Sequence, residues 1–127
     1  MNELTREAQA ADRWNRLHPL EDAKSSHVEQ CLKGRRGPVI CATDYIRTYA
    51  DQIRKWVPVR YEVLGTDGFG RSDTRQQLRK HFEVNKYHVV IAALKALADE
   101  GQLPAGKVAE AIKKYGIDPE KINPLFA

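Results

Sequence analysis

Two short apolar runs separated by a helical segment constrain the fold of this chain more than any other feature. Residues 38–43, Pro-Val-Ile-Cys-Ala-Thr, are a continuous run with the pattern of a strand buried on both faces. Residues 61–64, Tyr-Glu-Val-Leu, form a second strand. Because a helix lies between them, the strands are predicted to be parallel and joined by a right-handed crossover. The sequence therefore predicts a β-α-β unit over residues 38–64.

The helix inside this unit is predicted from the period of its apolar residues. They recur at helical spacing and predict an inward-facing stripe that consists of Ile46, Tyr49, Ile53 and Trp56. Asp44 is predicted to cap the start of the helix, and Pro58 is predicted to end it.

Further helices are predicted on both sides of the β-α-β unit. The first covers residues 3–14 and ends before His18-Pro19. Ser26-x-x-Glu29 has the spacing of a capping box, which predicts a short helix that ends at Gly34. A helix over residues 74–82 is predicted with Leu78 and Phe82 inside and Arg75 and Arg79 outside. The next helix is predicted to be capped by Asn85 and terminated by Gly101, and the last to span about residues 105–115.

One of these helices has an alternative interpretation as a strand. The run Val89-Val90-Ile91 would also suit the start of a strand. We expect a helix, because the periodic apolar residues continue for three turns up to Leu97. Asp118-Pro119 is predicted to open a final short turn.

The resulting inventory is rich in helices and poor in strands. The length of 127 residues, with 42% apolar and 30% charged residues, fits one globular domain. A two-stranded parallel sheet is not a stable unit by itself, because parallel sheets need neighbouring strands and helices on both faces. We therefore expect residues 1–127 to be a single, incomplete α/β domain that leaves apolar sheet surface exposed.

The glycine-rich run between the second strand and the next helix is the candidate site. Its residues are Gly65, Asp67, Gly68, Phe69, Gly70, Arg71, Ser72 and Asp73, followed by Arg75 in the helix. Three glycines imply a shaped backbone, and a helix start beside arginines favours anions. The run lacks the lysine and the glycine spacing of nucleotide-binding loops, and its aspartates oppose an anion. A structural role, in which the aspartates cap the loop or pair with arginines, is therefore favoured over an anion site.

Charge and cysteine usage argue against several classes of partner. Residues 33–80 contain eleven Lys or Arg and five acids, an excess of six, but aromatic residues among them are sparse, so nucleic acid is not expected. Cys31 and Cys41 fit no C-x-x-C pattern, and no nearby histidine at ligand spacing is expected, which predicts buried or free thiols rather than a metal site or redox pair. No signal peptide or membrane span is evident, so a cytoplasmic protein is expected.

The histidines do not form a recognisable catalytic group in the sequence. His81 and His88 flank a break between helices, where they could meet in space. No serine or cysteine nucleophile with a partner acid is indicated near them, so surface or hydrogen-bonded histidines are expected. His18, before Pro19, is expected to be structural, and no catalytic residue is assigned.

Several segments that together cover almost the entire chain point to a known family. They are Arg13-Trp14-Asn15-Arg16-Leu17-His18-Pro19, Ala42-Thr43-Asp44-Tyr45, residues 64–73, His81-Phe82-Glu83-Val84, residues 92–98 and Ile122-Asn123-Pro124. In this order they resemble the C-terminal end of the homodimeric bacterial pyruvate dehydrogenase component. The resemblance implies a partial three-layer α/β/α domain of the transketolase C-terminal type, with a short, mainly parallel sheet. The strands that precede this region in the family would complete that sheet.

The resemblance also implies what the chain does and does not carry. The family's full subunit uses thiamine diphosphate and Mg²⁺ to decarboxylate pyruvate, and passes the acetyl group to the lipoyl arm of an acetyltransferase core. Its cofactor motif has no counterpart here, because Thr66-Asp67-Gly68 is not Gly-Asp-Gly and position 95 is Lys95. The expected role is therefore that of an inactive structural and dimer-forming domain, with the glycine-rich run in a domain contact. The alternative is a stand-alone α/β interaction module that binds a partner protein or an anion through its basic middle and the glycine-rich run.

Overall fold

The computed structural model of the chain describes residues 1–67 and 75–126, and all structural statements below concern these residues. The elements in chain order are α1 (Asn2–Leu17), α2 (His27–Leu32), β1 (Val39–Ala42), α3 (Arg47–Asp51), β2 (Tyr61–Leu64), α4 (Arg75–His81), α5 (Lys86–Asp99) and α6 (Ala105–Lys114). Short 3₁₀ turns lie at Arg54–Trp56 and Pro124–Phe126. None of the helices described is long and apolar enough to cross a bilayer.

The two predicted strands form a parallel pair. Val39 is opposite Tyr61 and Ala42 is opposite Leu64 in the register. The ladder is extended at both ends by backbone hydrogen bonds, from Val39 N to Arg60 O (2.8 Å) and from Thr43 N to Leu64 O (2.9 Å). The predicted β-α-β connection and the parallel pairing are confirmed.

Helices cover both faces of this two-stranded sheet. On one face, Tyr61 and Val63 pack with α1, α2 and the segment from α3 through the following 3₁₀ turn to Val57, here called the α3 region. The buried members of this core are Ala8, Val28, Ala50, Ile53, Trp56, Val57, Tyr61 and Val63. On the other face lies α5, which contacts both strands and packs against α6. The predicted α/β fold, a partial three-layer arrangement with a short parallel sheet, is confirmed.

The prediction that the first strand is buried on both faces is wrong. Val39, Ile40 and Cys41 are only partly buried, and Ala42 is exposed. Within the described residues β1 pairs with β2 alone, so no further strand shields its outer side. The apolar run therefore has the composition of an interior strand but the environment of an edge strand.

The α3 region also differs from its prediction. Asp44 does not cap α3, which begins at Arg47; its N-cap residue is Ile46, whose side chain makes no capping hydrogen bond. Ile53 and Trp56 are buried, but Ile46 and Tyr49 are 56% and 39% exposed. The reason is that α3 ends at Asp51 and a separate 3₁₀ turn follows, so the predicted stripe is not on one continuous helix.

Most predicted caps are found in the structure. Ser26 forms the capping box with Glu29, and the Asn85 side chain accepts a hydrogen bond from His88 N at 3.1 Å. α5 is helical from Lys86, so the alternative strand at Val89–Ile91 is excluded. The α5 helix ends at Asp99, and Gly101 has φ +77°, a conformation that favours glycine.

Candidate functional site

The described start of the glycine-rich run, Gly65 to Asp67, is fixed to the segment that leads into α3. Thr66 donates hydrogen bonds from its amide to Tyr45 O (2.9 Å) and from its hydroxyl to Asp44 O (2.7 Å). A Cβ on Gly65 would lie 2.7 Å from the Arg47 backbone nitrogen, so only glycine permits this approach. The glycine is therefore needed here for close contact between two backbone segments.

Asp67 occupies the position that Asp44 was predicted to take. Its carboxylate accepts a hydrogen bond from Arg47 Nε at 2.6 Å, and both of its oxygens lie 3.4 Å from the Arg47 amide nitrogen at the start of α3. An acid at a helix N-terminus is favourable both as an acceptor and through the helix dipole. Asp67 thus pairs with an arginine 20 residues earlier.

Only the first part of the predicted site lies within the described residues. Gly68, Phe69, Gly70, Arg71, Ser72 and Asp73 lie outside the described residues, and so does the side chain of Arg75. The cavity beside Gly65 and Asp67, also lined by Pro124, has a volume of about 80 Å³. Ligand sites for small molecules occupy roughly 300–1,000 Å³. The described part of the run is therefore a packing contact.

Exposed apolar side chains lie next to this contact. Tyr45, Ile46 and Tyr49, here called the α3 patch, are 66%, 56% and 39% exposed. The two tyrosine rings contact each other with centroids 5.1 Å apart. Because Thr66 is bonded to Tyr45, the patch and the start of the glycine-rich run form one continuous surface.

His18 lies in a different environment from His81 and His88. His18 stacks on Trp14 at 4.2 Å and its Nδ1 lies 2.8 Å from Trp14 O, so its predicted structural role is confirmed. His81 and His88 line the same cleft, of about 550 Å³, between α4, the start of α5 and the segment that follows α6. Burial lowers the pKa of His88, and the Lys121 charge acts in the same direction while the Glu83 charge opposes them. Lys121 also donates to His81 O at 2.8 Å, at the carboxyl end of α4.

One contact was missed in the sequence. Cys31 Sγ lies 3.3 Å from His27 Nε2. The prediction that no histidine lies at ligand spacing from the cysteines is therefore wrong. The i, i+4 spacing on α2 was the signal that could have revealed this pair. Two side chains do not make a metal site, and residues 1–67 and 75–126 contain no group of three or more His, Cys, Asp or Glu that could hold an ion.

The family of the chain follows from comparison with known proteins. The family model described as the transketolase-like TK C-terminal domain matches residues 7–85, more than half of the 127 residues. The chain belongs to this family. The resemblance to a transketolase C-terminal-type domain, suggested by the sequence segments, is thereby confirmed.

This transketolase-type C-terminal domain also has relatives of high sequence identity. It is 64% identical over 125 residues to the pyruvate dehydrogenase E1 component of Pseudomonas aeruginosa and 62% identical over 123 residues to that of Cupriavidus necator. The protein of the same name from Escherichia coli is 48% identical over 126 residues. These matches cover 97–98% of the chain but only 14% of each relative. The chain thus corresponds to about one-seventh of these proteins.

The residues that the structure describes in this domain do not fit a Mg²⁺-bound diphosphate cofactor. Mg²⁺ is usually held by carboxylate oxygens together with phosphates. The described carboxylate of the glycine-rich run, Asp67, is engaged by Arg47, and the described residues offer no converging set of acidic ligands. No catalytic step through thiamine diphosphate is therefore derived from this chain.

Proposed function

We propose that the chain is a structural, subunit-forming part of a pyruvate dehydrogenase E1 component. The observation that carries this proposal is the 64% identity over 98% of the chain to one such protein. On this proposal the complete subunit decarboxylates pyruvate with thiamine diphosphate and Mg²⁺ and acetylates the lipoyl group of the acetyltransferase core. This chain contributes no catalytic group, and we expect the isolated chain to be inactive.

The exposed apolar surface supports a contact role. The α3 patch presents two tyrosines and an isoleucine beside the partly exposed strand β1. Contiguous exposed apolar residues of this kind mark protein contacts, and tyrosine is enriched in them. We propose that this patch packs against other domains of the subunit or against the second subunit of a cytoplasmic homodimer.

The glycine-rich run belongs to the same proposed contact. Its start is bonded to the α3 patch through Thr66 and Tyr45. The proposed contact residues are Gly65, Asp67, Gly68, Phe69, Gly70, Arg71, Ser72, Asp73 and Arg75. Their role in a contact is supported by the position of the described start of the run beside exposed apolar side chains. The cavity beside Gly65 and Asp67, of about 80 Å³, is smaller than typical ligand sites.

A chimeric enzyme tests the proposal. The 125 matching residues of the Pseudomonas aeruginosa protein would be replaced by this chain, and pyruvate decarboxylation and molecular mass would be measured. We expect an active dimer, because the two segments are 64% identical. A chimera that folds but neither dimerises nor decarboxylates pyruvate would contradict the proposal, as would decarboxylation by the isolated chain with thiamine diphosphate and Mg²⁺.

Charged substitutions in the chimera test the contact itself. Ile46→Asp combined with Tyr49→Asp should abolish dimerisation or activity, because carboxylates would be desolvated in the contact. Leu20→Asp is the control, since Leu20 is 99% exposed, outside the helices, and single exposed apolar residues are common. Equal effects of the two changes would rule out the α3 patch as a contact surface.

A further inference from the structure

A cleft of about 600 Å³ lies at the carboxyl end of β1. Its lining consists of Ala42, Thr43, Asp44, Gln77, Arg79, Lys80, Val84, Asn85, Lys86 and Tyr87. The volume is within the roughly 300–1,000 Å³ of small-molecule sites. In open α/β sheets ligands bind outside the carboxyl ends of the strands, which is the edge that this cleft occupies. Its size and its place in the fold therefore suit a small molecule.

The charge of the cleft selects the kind of molecule. Three cations line it, Arg79, Lys80 and Lys86, and Asp44 is the one carboxylate among its described lining residues, so its formal charge is +2. The first turn of α5 is at the same place and adds the positive end of a 14-residue helix dipole. A dianionic group is the natural complement to this environment.

The ion pair inside the cleft does not prevent such binding. Arg79 Nη2 lies 3.7 Å from Asp44 Oδ2, and the side chains are 43% and 62% exposed. Exposed pairs of this kind contribute about 0–1 kcal/mol. A phosphate group can accept two parallel hydrogen bonds from the guanidinium, which the single long contact to Asp44 does not use.

A second basic depression provides an internal comparison. It has a volume of about 470 Å³ and is lined by Lys33 and Arg35, together with Pro58 and Val59. These residues precede β1 and β2, so the depression lies at the amino ends of the strands. Its carboxylate, Glu29, is engaged in the capping box with Ser26. The two sites have similar cations but lie at opposite ends of the sheet.

From these observations we infer that the cleft at the carboxyl end of β1 binds a small phosphate-bearing molecule through Arg79, Lys80 and Lys86. Thr43 and Asn85 supply polar side chains at its margin. This inference is independent of the proposed function, because it rests on the cleft and its charges alone. The recognised group is the phosphoryl dianion, whether free or as an ester.

Titration of the isotope-labelled chain with inorganic phosphate and with ADP, followed by amide NMR shifts, tests the inference. We expect saturable shifts at Thr43, Arg79 and Lys86 with both probes, and displacement of ADP by phosphate. Sodium chloride of equal ionic strength should not produce them. Shifts that chloride reproduces, shifts that centre on Lys33 and Arg35, or ADP binding that phosphate cannot displace would each overturn the inference.

Paired variants make the test quantitative. Arg79→Gln with Lys86→Gln should weaken phosphate binding at least about tenfold, because two charge-assisted contacts are lost. Lys33→Gln with Arg35→Gln is the matched control, because it removes the same charge at the opposite end of the sheet and should change binding less than about twofold. Equal weakening by the two pairs would mean that only net charge matters and would overturn the inference.

A third variant should strengthen binding. Asp44→Asn removes the competing carboxylate from the cleft and should tighten phosphate binding about threefold, an effect that misfolding cannot mimic. Unchanged or weaker binding would show that Arg79 is not the receiving group.

Discussion

The two halves of the molecule are built by different means. In the N-terminal half, from α1 to β2, eight buried residues form one contiguous core that joins α1, α2, the α3 region and β2. Beyond β2, the buried aliphatic residues of the described part are Val84, Ala96 and Val108, and none belongs to that core. The C-terminal half depends instead on helix caps, exposed ion pairs and half-buried helix faces. We therefore expect a stable N-terminal half and a C-terminal half that opens locally.

Truncating the large core aromatic should have the largest effect. Trp56 is 8% exposed and its Nε1 donates to Asp12 at 3.1 Å. Trp56→Ala should lower the free energy of unfolding by about 3–5 kcal/mol through lost burial and a cavity. Leu97→Ala in half-buried α5 is the comparison and should cost markedly less. Urea denaturation measures both, and equal losses would break the distinction between the halves.

A single methyl group added beside α3 should have the next largest effect. Gly65→Ala places a Cβ 2.7 Å from the Arg47 nitrogen, where backbone must move, and should cost about 1–3 kcal/mol. Gly106→Ala in α6 is the control, because nothing lies within 4 Å of its added Cβ. That change should stabilise by up to about 1 kcal/mol through helix propensity. Thermal unfolding of both variants would show opposite signs, and the same sign would refute the close-approach argument.

Two helix caps offer a finer test of local opening. Ser26, fully buried, and Asn85 each accept a hydrogen bond from a helix amide. Replacing either by alanine should cost about 1 kcal/mol. Ser26→Ala should appear as a loss of global stability, whereas Asn85→Ala should mainly accelerate hydrogen exchange in α5. If Asn85→Ala accelerated exchange equally in β1 and β2, the halves would have to unfold as one unit.

The smallest expected effect is a pH dependence from His88. Its folded-state pKa lies below the unfolded value because burial disfavours the charged ring. The stabilisation is therefore complete above about pH 6.5, the unfolded value, and is lost as the pH falls from there towards the folded pKa. His88→Gln should remove this acid-side loss in unfolding curves measured between pH 7.5 and pH 5. An unchanged slope in the variant would assign the loss to other groups.

Local signals in the sequence predicted most of the fold, and long-range contacts account for what they missed. The Ser26 and Asn85 caps and both strands were predicted because each depends on neighbouring residues. Asp44 is predicted as the cap of α3, but Asp67, 20 residues after Arg47, has that role. The capping role of Asp67 could not be predicted from the sequence, because it depends on how the residues after β2 approach the start of α3.

Tyr49 of α3 and the candidate site are two further features that local sequence signals could not predict correctly. Tyr49 lies on the apolar period of a continuous helix, but the helix ends at Asp51 and the side chain is 39% exposed. The glycine-rich run was recognised by composition, which does not distinguish a ligand loop from a packing contact. The basic cleft went unrecognised, because its lining combines the end of β1 with α4 and α5, which are distant from β1 in sequence.

The position of the core along the chain has a consequence for biosynthesis. Every member of the eight-residue core lies in the range from Ala8 to Val63, so the whole core has been synthesised before any residue of α4, α5 or α6. At about 5–20 residues per second, the 36 residues from Leu64 to the end of α5 at Asp99 take about 2–7 s to appear. During that interval, the sheet face that α5 will cover faces solvent or a chaperone. The nascent chain is thus expected to be most vulnerable to aggregation just before α5 emerges.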